Sequence, residues 1–155
     1  MKNIQLSEQK ARELYQTASS ELKQILEENF TKELLSGKIT DRIKCWADVE
    51  RELGHPVNIY PFGNDKQLKA LSAFNKIQSL SKVLNEGWKP DFSNTNEYKW
   101  YPYFRKDARS GWVFYSAAYG RYGAAMGSGF YFKTEELAKH AAKYFMDVYL
   151  DYLPE

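Results

Sequence analysis

Between Tyr98 and Phe132 the chain changes its period from that of helices to that of strands, and it spends 13 of its 25 aromatic residues doing so. A block this rich in aromatic and β-branched side chains favours a small pleated sheet that other elements must cover. Three runs read as strands: Tyr98–Arg105, Trp112–Ala118 and Phe130–Lys133. Asp107–Gly111 is a short turn, so the first two runs should pair as an antiparallel hairpin. Pro102 has no N–H to give a ladder, which puts the first run at a sheet edge. Alternation sets Tyr98, Trp100, Pro102 and Phe104 on one face and Lys99, Tyr101, Tyr103 and Arg105 on the other. In the second run Trp112, Phe114 and Ser116 oppose Val113, Tyr115 and Ala117. In the third, Phe130 and Phe132 are expected to face the helices. The second connection, Tyr119–Gly129, is long and holds four glycines.

The rest of the chain reads helical. Ser7 is an N-cap for a first helix carrying Ala11, Leu14, Tyr15 and Ala18, with Leu6 before it as a hydrophobic staple. Ser19 or Ser20 caps a second, with Leu22, Ile25, Leu26 and Phe30 as its stripe and Gly37 as its stop. A short helix is expected over about Cys45–Leu53, stopped by Gly54. Asn64 or Asp65 caps a longer one with Ala70, Ala73, Phe74, Ile77, Leu80 and Leu84 inward, up to Gly87. Thr134 caps one last helix that buries Leu137, Ala141, Tyr144, Phe145, Val148 and Tyr152, with Glu135 and Glu136 complementing its dipole. The expectation is a single α+β domain over residues 1–155. A helical arm fills 1–63, and a helix followed by a three-stranded antiparallel sheet and a C-terminal helix, a β-β-β-α unit, fills 64–155.

Composition narrows the function classes. Across 155 residues, 22 Lys and Arg meet 20 Asp and Glu, which argues against a strongly basic nucleic-acid coat. The balance is 9 to 10 in residues 1–63 and 13 to 10 in residues 64–155. One cysteine, Cys45, leaves no disulfide framework or multi-cysteine metal site. No apolar run nears the ~20 residues of a membrane span. Residues 1–20 lack the apolar core of a signal peptide. A cytoplasmic protein, with no membrane partner and no cofactor or metal, is the expectation.

Catalytic constellations are sparse. His55 lies in a loop, and His140 is expected to face away from the apolar stripe of the last helix, both as ordinary surface histidines. No G-x-S-x-G is present. Cys45 at a helix start suits a stabilised thiolate less well than a small apolar residue tucked under the helix. The glycine loop lacks G-K-[ST] and G-x-G-x-x-G, and it runs from strand to strand, so no helix N-terminus waits there for a phosphate. A non-enzymatic binding protein is therefore expected. Its candidate contact residues are Tyr101, Tyr103, Arg105, Arg109, Tyr115, Tyr119, Arg121 and Tyr122, with Met126 on the loop. Tyrosine interleaved with arginine makes good protein interfaces, and a protein partner is the first expectation. The alternative is nucleic acid, with Lys99, Arg105, Lys106, Arg109 and Arg121 on phosphates and Tyr101, Tyr103 and Tyr115 stacking on bases.

Three stretches carry a resemblance: LYQTASSELKQILEENFTKELLSGKITDRIKCWADVERELG at 14–54, LNEGWKPDFSNTNEYKWYPYF at 84–104 and GSGFYFKTEELAKHAAKYFMDVYLDYL at 127–153. They resemble a group of small uncharacterised proteins encoded by phages and integrated mobile elements of gut bacteria. The resemblance implies an accessory protein of a mobile element and brings no catalytic residue with it. A sheet of three antiparallel strands followed by a helix is also similar in plan to the arm-type DNA-binding domains of phage integrases. The near-neutral charge and the five acids from Glu135 to Glu155 count against that analogy.

Overall fold

A computed structural model describes residues 6–35, 37–61, 63, 65–123 and 127–154. Asn64, Met126 and Glu155 therefore lie outside the described residues. The chain divides into two compact units, Met1–Ile43 and Lys44–Glu155.

In the first unit, α1 (Glu8–Thr17) and α2 (Ser20–Asn29) start where Ser7 and Ser19 accept N–H bonds from Lys10 and Leu22. Ala11, Leu26 and Leu35 form the core, with Leu6, Leu14, Tyr15 and Phe30 packed around it. Gly37 is not the stop of the second helix. Phe30 leaves the helical region at φ −134°, and the Thr31 hydroxyl accepts from Leu34 N–H to begin α3 (Lys32–Leu35). A second short helix, α4 (Ile39–Arg42), follows. Ile25 is 55% exposed and Leu22 partly so, so the apolar stripe of α2 is narrower than its sequence suggests.

In the second unit, α5 (Trp46–Leu53) ends at Gly54, whose φ of 76° is the left-handed conformation of a helix stop. Asp65 opens α6 (Lys66–Leu84) by accepting from Gln67 and Leu68 N–H. Strands β1 (Lys99–Asp107) and β2 (Gly111–Gly120) form the antiparallel hairpin. Thr134 caps α7 (Glu135–Tyr144), and Phe145 at φ −129° separates it from α8 (Met146–Tyr152). The single final helix is thus two. The break lets Phe145 meet Trp46 edge-on while Tyr149 reaches Phe104 and Tyr152 reaches Phe130.

The expected third strand does not form: among the described residues the sheet has two strands. Phe130–Lys133 becomes a 3-10 turn, Ser128–Phe130, and a single bridge between Trp100 and Phe132. The competing partner is α6. Its Ser81 hydroxyl and the side-chain amide of Asn85, the residue that caps its end, both donate to the Tyr131 carbonyl, at 2.9 and 2.8 Å, and the Asn85 side-chain carbonyl accepts from Lys133 N–H at 2.9 Å. Backbone groups that would have extended a ladder are thereby satisfied by helix side chains. Ser72 does the same further along α6, bonding the N–H and carbonyl of Tyr60. Phe130 and Phe132 are buried as expected, Phe130 against Phe74 of α6.

Candidate functional site

The hairpin carries the candidate residues, and a one-residue bulge decides how they group. Tyr103 pairs with Ser116 and Phe104 with Phe114, so Tyr115 is left without a partner on β1. A bulge shifts the alternation of the strand by one. Plain alternation would set Tyr115 and Tyr119 on one face. The bulge instead places Tyr119 opposite Trp100, while Tyr115 stays beside Tyr103.

Two aromatic–cation clusters result, on opposite faces. Near the turn, Tyr103 and Tyr115 meet edge to face at 6.3 Å, and the Arg105 guanidinium lies 4.6 Å from the Tyr115 ring. Tyr103 is 50% exposed and Tyr115 57%, so both rings present a face to solvent. At the other end, Tyr98, Trp100 and Tyr119 pack together, Tyr98 and Tyr119 at 4.7 Å. Arg121 covers Tyr98 at 4.3 Å and bonds its hydroxyl. Its Nε is buried with no partner among the described residues. Tyr122 beyond it is 75% exposed. Arg109 sits in the turn, where Asp107 accepts from its N–H and from that of Ser110. Tyr101 is half-buried against Tyr131, at 5.7 Å. The eight candidates are therefore spread over two patches, a turn and an interior contact. Tyr98 and Trp100 join them, outside the candidate set; their i,i+2 spacing on one face of the first strand run is the signal that marks them.

Lys99 corrects the candidate phosphate set. Its side chain is fully buried. Nζ donates to the carbonyls of Asn94 at 2.7 Å, Glu97 at 3.0 Å and Arg121 at 3.5 Å, and lies 3.4 Å from the Glu97 carboxylate. A lysine enclosed in this way has no donor left for a phosphate. It ties the connector before β1 to the residue after β2. Glu97 completes the tie by accepting from the Trp88 indole and from Asp91 N–H. Burial pushes the Glu97 carboxyl up, but those bonds and Lys99 outweigh it and hold it below the ordinary carboxylate range. A carboxyl whose folded pKa is depressed stabilises fully above its unfolded value, about 4.3, and loses that stabilisation as pH falls through the folded value. The stability of the wild type is accordingly expected to fall more steeply below about pH 4 than that of Glu97→Gln, which chemical denaturation across that window measures.

His140 is a second correction. It is buried on α7, 4.6 Å ring to ring from Tyr144, rather than on the surface. Cys45 is exposed rather than tucked under α5, and its thiol donates to Asp48 at 3.3 Å as part of the helix cap. Among the described residues no three His, Cys, Asp or Glu side chains gather as metal ligands, and no helix is long and apolar enough to cross a membrane.

Two cavities open in the second unit, the first of them beside the hairpin. One of about 340 Å³ is lined by Phe104, Trp112, Tyr149 and Tyr152 among others. There the Tyr149 hydroxyl is buried without a partner among the described residues, and burial pushes its pKa up. The other, of about 700 Å³, lies between α6, the connector 87–92 and Ser128–Gly129. Comparison of the chain with protein-family models, curated proteins and solved structures finds no match.

Proposed function

We propose that the protein is a non-enzymatic, cytoplasmic binding module of mobile-element type that docks on a protein partner through the outer face of its hairpin. One observation carries this reading: Tyr103, Tyr115 and Arg105 form a preassembled, half-exposed cluster on the strand pair. Tyrosine and arginine dominate interface hot spots, because they offer large contact area with few torsions to freeze. Rings already held edge to face cost little further ordering on binding. Tyr119 and Tyr122 at the start of the glycine loop supply a second contact on the opposite face, with Arg121 between them in sequence.

A second reading, nucleic-acid binding by the same hairpin, is favoured by the basic side chains Arg105, Lys106 and Arg109 at its turn end, all exposed. Lys99 is withdrawn from it by burial.

The two readings separate on salt and on tyrosine. A protein partner captured from a bacterial host extract should survive high salt. It should be lost with Tyr103→Ala/Tyr115→Ala, each hot-spot tyrosine being worth about 2 kcal/mol or more, roughly thirtyfold in Kd. The double variant should stay folded and lose no more than about 2 kcal/mol of stability, since the rings pair across the strands but are half-exposed. Fluorescence anisotropy with labelled single- and double-stranded DNA at two salt concentrations tests the alternative. Binding that collapses with salt, and weakens with Arg105→Ala/Arg109→Ala, would replace the protein-partner reading.

A further inference from the structure

The 700 Å³ cleft is of the size that encloses small organic ligands, and it belongs to neither aromatic cluster. Its walls come from three places in the sequence. The last turns of α6 supply Gln78 and Lys82, the connector supplies Trp88, Lys89 and Phe92, and the 3-10 turn supplies Gly129. Each wall has an independent reason to hold its shape. The Trp88 indole is fixed by Glu97, at 3.2 Å. Phe92 packs edge-on against Tyr131 at 5.6 Å. Gln78 lies across Gly129 so closely that a β-carbon there would meet its amide carbon at 2.2 Å, so only glycine lets that side chain lie where it does. The 3-10 turn itself is locked to α6 through Tyr131 and Lys133.

The chemistry of the lining is one-sided. Trp88, Phe92 and Pro90 offer flat apolar surface, and Gln78, Ser79 and Ser128 offer neutral hydrogen-bonding groups. Among the described residues Lys82 and Lys89 are its only charged side chains, both exposed, and no carboxylate lines the cleft. Neither lysine takes part in an ion pair among the described residues. We infer that this cleft binds a small anionic ligand with a planar apolar body, the body against Trp88 and Phe92 and the carboxylate or other anionic group toward Lys82 and Lys89. This does not depend on the hairpin's role in docking a partner.

The probe is 2-naphthoate, with uncharged 2-naphthamide as its neutral twin, titrated into the full chain by calorimetry. Amide chemical shifts locate the binding. Two solvent-exposed lysines favour the acid over the amide about fivefold, since exposed ion pairs are individually weak. Shifts should centre on Gln78–Phe92 and Ser128–Gly129, and the preference should vanish or reverse in Lys82→Glu/Lys89→Glu. Both substitutions are on exposed side chains, so that variant should stay folded, with a slightly lower melting temperature because Lys82→Glu sets an acid in the last turn of α6. Equal affinity for acid and amide, shifts centred elsewhere, or an undiminished preference in the charge-reversed variant would each overturn the assignment.

Discussion

Lys99→Met should cost about 3 kcal/mol of folding stability, the largest loss expected from any single lysine in the chain. Methionine nearly matches the length of lysine, so packing changes little and the effect isolates the ammonium group. Removing it leaves the Asn94, Glu97 and Arg121 carbonyls without their shared donor, and leaves the Glu97 carboxylate without its counter-charge. Breaking a buried pair from one side costs roughly 3–5 kcal/mol. The lower end applies because Glu97 is partly exposed and keeps its bonds to Trp88 and Asp91. Urea unfolding should show a lower midpoint with an unchanged slope. Lys106→Met is the control: it sits on the same strand but is exposed, and should move stability by no more than about 0.5 kcal/mol. If both variants unfold together, the buried ammonium does not hold the connector. The loss would also reach the surface, because the Arg121 carbonyl that Lys99 holds belongs to the residue whose guanidinium covers Tyr98.

That role of Lys99 was invisible in the sequence for a physical reason. Alternation assigns a face, and Lys99 does share a face with Tyr103. What it cannot assign is how far a cover extends along the strand. The connector 91–97 folds over one end of that face and leaves the other end open, so residues four apart have opposite fates. The helix caps were legible because capping is local: Ser7, Ser19, Asp65 and Thr134 bond donors two or three residues away. The grouping of Tyr103, Arg105 and Tyr115 was legible for the same reason, since a hairpin with a short turn fixes its own register. The separation of Tyr119 from Tyr115 was not, because a bulge leaves no mark in an aromatic alternation. The cleft was not either, since Gln78, Trp88 and Gly129 are brought together only by the tertiary fold.

The missing third strand points to the second large effect. Asn85→Ala should destabilise the protein by about 2–3 kcal/mol. It removes three bonds at a buried position: the amide to the Tyr131 carbonyl at 2.8 Å, the amide to the Ser81 hydroxyl at 3.1 Å, and Lys133 N–H to the side-chain carbonyl at 2.9 Å. The Tyr131 carbonyl keeps one donor, Ser81, which sets the ceiling on the loss. Asn85→Asp is the sharper variant. It preserves shape and the acceptor for Lys133 N–H, but turns an oxygen lone pair toward the Tyr131 carbonyl. A protonated carboxyl could donate there and an ionised one could not, so the pKa of the new carboxyl must rise on folding. A raised carboxyl pKa places the penalty at high pH. Measured against the wild type at each pH, the deficit of Asn85→Asp should be smallest below about pH 4 and grow as pH rises through the ordinary carboxylate range and beyond. A deficit independent of pH would mean that Tyr131 is not held by the amide. Should the deficit follow pH as described, the segment 131–133 is fastened to α6 by side-chain bonds rather than by a ladder. The same substitution would then loosen Tyr131 from Phe92 and reshape the cleft that Phe92 and Gly129 line.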